Sequence, residues 1–110
     1  MNESNLTEIE EKIRGAKSIG EERKRELLQL LNTLKAEIGK LSKTHDEQAQ
    51  SIAGFAELSA REATRRQQNP QSLHHSLEGL RSSVEGFETS HPQLVRIVNN
   101  ISNTLSNLGI

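Results

Sequence analysis

His45, His74, His75 and His91 are the side chains in this sequence best suited to ligate a metal or move a proton near neutral pH. One of them lies in a suggestive pattern: Glu88-Thr89-Ser90-His91 has the Glu-x-x-His spacing of carboxylate-bridged metal centres in helical bundles. Such a centre needs two of these motifs plus two further inward glutamates, and the chain has one. His45 falls on an apolar helical seam, where a polar residue fixes register at a cost in stability. Serine is plentiful, but no G-x-S-x-G turn presents a nucleophile, and there is no phosphate-binding or dinucleotide fingerprint. With no cysteine, thiolate chemistry and disulfides are excluded. No catalytic, cofactor-binding or metal-ligating residue is expected, and the protein reads as a non-enzyme. The remaining chemical feature is a basic tip of Arg61, Arg65 and Arg66, suited to a phosphate backbone or an acidic protein. Glu57 and Glu62 lie four residues before Arg61 and Arg66, so helix-surface ion pairs absorb much of that charge. No aromatic lies near enough to stack on a base, which disfavours nucleic acid.

The elements that carry these residues read as helices throughout. Asn5 with Glu8 predicts a cap for a short helix, about residues 5–15, bearing Leu6, Ile9 and Ile13 and ending at Gly15. Ser18 with Glu21 has the spacing of a capping box. It opens a long helix, about residues 19–68, that meets no strong stop before Asn69-Pro70 and would measure roughly 70 Å at 1.5 Å per residue. Leu27, Leu31, Leu34, Ile38 and Leu41 give its first half a heptad seam. Asn69 as cap and Pro70 at the first helical position open a return helix, about residues 70–108, with Leu73, Leu77, Leu80, Val84 and Phe87 and then Leu94, Val98, Ile101 and Leu105 in the same spacing. Near Pro92 this helix is either kinked or restarted from Ser90. The expected fold is all-α: a long antiparallel, coiled-coil-like hairpin plus a short N-terminal helix, assembling into a helical bundle.

Small residues set the expected packing. Ala49, Ala53, Ala56, Ala60 and Ala63 form a stripe on the long helix, and Ser76, Gly79, Ser83, Gly86 and Ser90 form another on the return helix. Antiparallel pairing about Asn69-Pro70 matches Ala63 with Ser76, Ala60 with Gly79, Ala56 with Ser83, Ala53 with Gly86 and Ala49 with Ser90, which predicts close helix approach there. It leaves Ile52, Phe55, Leu73, Leu77, Leu80, Val84 and Phe87 as an apolar ribbon on one flank, beyond reach of the first helix. An exposed ribbon of this kind reads as an interface, most economically with a second copy, a dimer being favoured. A different protein on the same ribbon would make the chain an adaptor.

The last sixty residues carry a resemblance. "NPQSL", "GLRSSVEGFETSHPQLVRIVN" and "LSNLGI", above all Phe87-Glu88, Ser90-His91-Pro92, Leu94 and Leu108-Gly109-Ile110, resemble a family of small bacterial proteins known only as a domain of unknown function. The resemblance implies a small bacterial helical protein and supplies no mechanism.

Composition agrees with helices and limits the core. Only 32% of the 110 residues are apolar and only Phe55 and Phe87 are aromatic, which argues for an elongated shape over a compact one. The net charge of −1, with both signs interspersed, gives no general attraction to nucleic acid or anionic membrane. No apolar run has the length of a membrane span, and the N-terminus lacks a signal-peptide pattern, so a cytoplasmic location is the default expectation.

Overall fold

A computed structural model describes residues 2–17, 19–65 and 67–108, with side chains from Leu6 onward in the first helix. Five helices follow one another: α1 (Asn2–Gly15), α2 (Glu21–Leu41), α3 (Asp46–Ala63), α4 (Pro70–Ser83) and α5 (Pro92–Leu108). No strand occurs among the described residues. The all-α expectation holds, and the bundle is built by a single chain.

The long second helix is two helices, α2 and α3. Its break lies at Ser42–His45, where the heptad supplies no apolar side chain after Leu41 and hydroxyls compete for backbone groups. Ser42 Oγ donates to the Gly39 carbonyl at 2.9 Å, Thr44 Oγ1 to the Leu41 carbonyl at 3.4 Å, and the His45 amide to the same Leu41 carbonyl at 2.8 Å. Asp46 then opens α3 with a carboxylate in the first turn, where the helix dipole favours it. His45 is therefore an exposed residue at the start of a helix, not a seam residue inside one.

The break reverses the chain, and each helix runs against the one before it. Lys24 Nζ donates to the Arg14 carbonyl, and Lys35 Nζ reaches Glu10 at 2.7 Å and Thr7 at 3.3 Å, so α1 lies antiparallel to α2. At one end of the bundle, Thr104 Oγ1 donates to Glu26 and Gln68 Nε2 to the Leu108 carbonyl, joining the start of α2, the α3–α4 turn and the end of α5. At the other end, the α2–α3 turn meets the α4–α5 connection. A helix expected to stretch roughly 70 Å is thus folded into a body 38 × 24 × 21 Å in extent. Its radius of gyration, 12.9 Å, is the value of about 13 Å that a compact domain of this length has.

Capping explains where α4 starts. Asn69 Oδ1 accepts from the amides of Gln71 and Ser72 at 3.1 and 3.2 Å, and Pro70 occupies the first turn, as the sequence predicts. The return helix is broken, not kinked: α4 ends at Ser83, and α5 begins at Pro92 after a connection containing Gly86 at φ +94°. A side chain is strained in that left-handed region, so Gly86 serves a turn. It and Ser90 lie outside any helix and take no part in close helix packing. At the N-terminal side, α1 starts at Asn2, ahead of the expected cap at Asn5, and α2 starts from Gly20 without a side-chain cap. Ser18, expected to cap α2, lies outside the described residues, as do Arg66, Gly109 and Ile110.

The core runs the length of the bundle. Leu6, Ile9 and Ile13 of α1, Leu27, Leu31, Leu34, Ile38 and Leu41 of α2, and Leu94, Val98, Ile101 and Leu105 of α5 are all buried. Among the described residues α1 packs on α2 and α3 and makes no close backbone approach to α5. Helix α3 touches all four other helices. Asn99, Asn100, Asn103 and Asn107 form the exposed face of α5.

Candidate functional site

The apolar ribbon is where a partner was expected, and most of it is interior. Ile52 and Leu80 have no exposure, and Leu73, Leu77 and Val84 are also buried; Phe55 and Phe87 alone of the seven remain half-buried. The physical cause is the break at Ser42–His45. It lays α3 back beside α2, so that α1, short as it is, packs on α3 and helps close the core. A ribbon covered within one chain is not an interface between two.

The alanine stripe is buried as expected, with Ala49, Ala53, Ala56, Ala60 and Ala63 at no more than 2% exposure. Its pairing is different. Over Gly79 lies Phe55 of α3, more than a helical turn from the expected Ala60: a Cβ on Gly79 would come closer than 3.0 Å to three carbons of the Phe55 ring. Gly79 thus bares α4 for an aromatic ring. Ser76 is buried with its hydroxyl on the Leu73 carbonyl at 2.8 Å, and Ser83 is half-buried with its hydroxyl on the Leu80 carbonyl at 2.6 Å. Both return the hydroxyl to their own helix, which lets a polar residue line a packed surface.

What stays open is a shallow groove of about 370 Å³ between α3 and α4, lined by Glu47, Gln48, Ser51, Phe55, Gly79, Ser82 and Ser83. Ser51, Gly79, Ser82 and Ser83 keep much of its side low around Phe55, its large apolar side chain, and Glu47 and Gln48 are the larger polar side chains of its lining. One turn farther along α3, on the same flank, Leu58 projects with 44% of its surface exposed, the exposed large apolar side chain among the described residues. Leu58 does not belong to any heptad in the sequence, so periodicity gave no reason to single it out.

The groove leads toward a cluster of three rings at the end of the bundle. His45 lies 5.5 Å from Phe87 and 6.2 Å from His91, and Phe87 lies 5.6 Å from His91, all edge-to-face. Each imidazole is held by the hydroxyl before it: Thr44 Oγ1 is 2.8 Å from His45 Nδ1, and Ser90 Oγ is 3.0 Å from His91 Nδ1. Glu88 turns the other way and accepts the Gly86 amide at 3.0 Å. Among the described residues no group of three or more His, Cys, Asp or Glu side chains is placed to hold a metal ion.

At the opposite end the two described arginines of the basic tip are paired with carboxylates. Arg61 pairs with Glu57 at 3.5 Å and Arg65 with Glu62 at 3.1 Å, while His74 faces Glu78 at 3.6 Å. Among the described residues, no helix is long and apolar enough to cross a membrane.

The family follows from the chain itself: the model of a domain of unknown function, DUF4404, matches residues 27–110. The protein belongs to the DUF4404 family. The matched stretch contains α3, α4 and α5 whole, with the groove, Leu58 and the ring cluster, and leaves α1 and the first residues of α2 outside it. No curated protein and no solved structure matches the chain.

Proposed function

We propose that this DUF4404 protein is a non-enzymatic interaction module that self-associates through the open face of α3 and α4. The observation that carries the reading is a knob and a hole on one face. Leu58 projects from α3, and the groove beside Phe55, lined also by Glu47, Gln48, Ser51, Gly79, Ser82 and Ser83, is an open hollow wide enough for a leucine side chain. A symmetric dimer requires a patch complementary to itself. A two-fold axis crossing α3 between Phe55 and Leu58 would seat each Leu58 in the groove of the other copy.

This replaces the buried ribbon with a smaller contact that keeps Phe55 alone of the original seven residues. Fully burying a leucine is worth about 1.5–3 kcal/mol, so two of them, with the ring surface of Phe55, suit a weak and concentration-dependent dimer. The test is solution mass by light scattering on a sizing column over a range of concentrations. A shift from monomer to dimer is expected for the wild type, and Leu58→Asp should remain a folded monomer, because Leu58 is not part of the core. A monomer at every concentration, or a dimer that survives Leu58→Asp, overturns the reading.

A further inference from the structure

We propose that His45 and His91 form a two-imidazole binding site for a borderline-soft divalent cation, Zn²⁺ or Ni²⁺, at the end of the bundle. The two residues come from different connections, the α2–α3 turn and the α4–α5 link, and the fold brings their rings to 6.2 Å between centroids, nearly perpendicular at 83°. With a Zn–N bond of about 2.1 Å, an imidazole centroid lies about 3.2 Å from the ion. Two such rings sharing one ion are then about 5.2 Å apart at the tetrahedral angle and about 6.4 Å apart when opposed. The observed separation falls inside that span, near its opposed end.

The hydroxyl contacts prepare the nitrogens. A hydroxyl both donates and accepts, so Thr44 and Ser90 are each able to accept a proton held on Nδ1, which leaves Nε2 with its lone pair free. Outer partners that fix the tautomer in this way are the usual companions of ligating histidines. Phe87 packs edge-on against both rings and supplies an apolar wall. His45 is exposed, so water completes the coordination sphere, and two nitrogens with water suit imidazole-preferring cations and not Mg²⁺ or Ca²⁺.

The sequence-adjacent pair His74 and His75, at the opposite end of the bundle, is a built-in control. Their centroids are 6.1 Å apart, but the residues are adjacent on one helix, where successive side chains diverge, and His74 faces Glu78. Shared ligation therefore belongs to His45 and His91.

The experiment is calorimetric titration of the full, untagged chain with Zn²⁺ and separately with Ni²⁺ near pH 7.5, with melting followed in parallel. One ion per chain is expected, with a raised Tm because the ion links two connections of the folded state. His45→Ala and His91→Ala should each weaken binding at least about tenfold, and a His74→Ala, His75→Ala double variant should leave it unchanged. Circular dichroism establishes that each variant is folded, and loss of imidazole NMR signals from His45 and His91 on addition of Ni²⁺ reads the site directly. Absence of binding to the wild type, or binding that survives His91→Ala in a folded variant, overturns the proposal.

Discussion

Helices α2 and α3 are neighbours in the chain and opposites in side-chain size. α2 buries Leu27, Leu31, Leu34, Ile38 and Leu41, whereas α3 buries five alanines, Ile52 and Ser59. The difference follows position. α2 packs against α1, α3 and α5, while α3 packs against every other helix of the bundle. A helix surrounded in this way must be slim, because interaxial distances of about 8–10 Å depend on the side chains at the contact. The small residues therefore record several close neighbours, α4 foremost, and not one opposing arm alone.

The largest expected effect comes from cutting into the bulky side of this comparison. Leu34→Ala on α2 removes a side chain with no exposure and should cost about 2–5 kcal/mol, read as a lower midpoint in urea unfolding. On α3 the damaging change runs the other way. Ala56→Leu adds volume where several helices converge and should cost about 1–3 kcal/mol through overpacking. If Ala56→Leu were neutral, α3 would not be the crowded centre of the fold.

How much of this was legible depends on which signal was used. The heptads located the buried faces of α2, α4 and α5, and Asn69-Pro70 located a turn with its cap, because those features rest on local chemistry. The break at Ser42–His45 was hidden by counting seam spacing across it. The polar run Ser42-Lys43-Thr44-His45-Asp46 contains three good cap or turn formers, and reading it as a connection would have shortened the long helix. That one connection governs the rest of the site. In an up-and-down bundle alternate connections share an end, so two breaks, at Ser42–His45 and around Gly86, would have brought His45 together with Phe87 and His91. Leu58 lacked any such signal, since exposure of a single leucine is a property of the packed surface.

Gly79 lies where α3 and α4 press together. Glycine inside a helix costs about 1 kcal/mol relative to alanine, so Gly79→Ala would stabilise α4 if nothing lay above it. Phe55 does, and a Cβ would overlap its ring. The net expectation is a loss of about 1 kcal/mol in the wild type and a gain of similar size in a Phe55→Ala background. That reversal of sign, measured in a double-mutant cycle, would establish that the glycine exists for the aromatic ring.

The smallest effect concerns two hydroxyls, one on the crowded helix and one on a leucine-lined neighbour. Ser59 of α3 and Ser102 of α5 are fully buried, and among the described residues neither Oγ has a hydrogen-bond partner. Burying a hydroxyl unpaired costs about 1–3 kcal/mol on protein scales, and alanine is also the better helix former. Each serine changed to alanine should therefore stabilise the fold, by about 1 kcal/mol or less once lost packing is set against desolvation. The gain should be larger at Ser59, which lies on the buried face of α3 beside Ala56 and Ala63, where close helix approach leaves little void when the oxygen is removed. At Ser102, among Val98, Ile101 and Leu105, the missing atom leaves part of a cavity between large side chains, which offsets the relief. Equal gains at the two positions, measured as denaturation midpoints, would mean that packing is equally tight around α3 and α5 and that neighbour count does not explain the alanines.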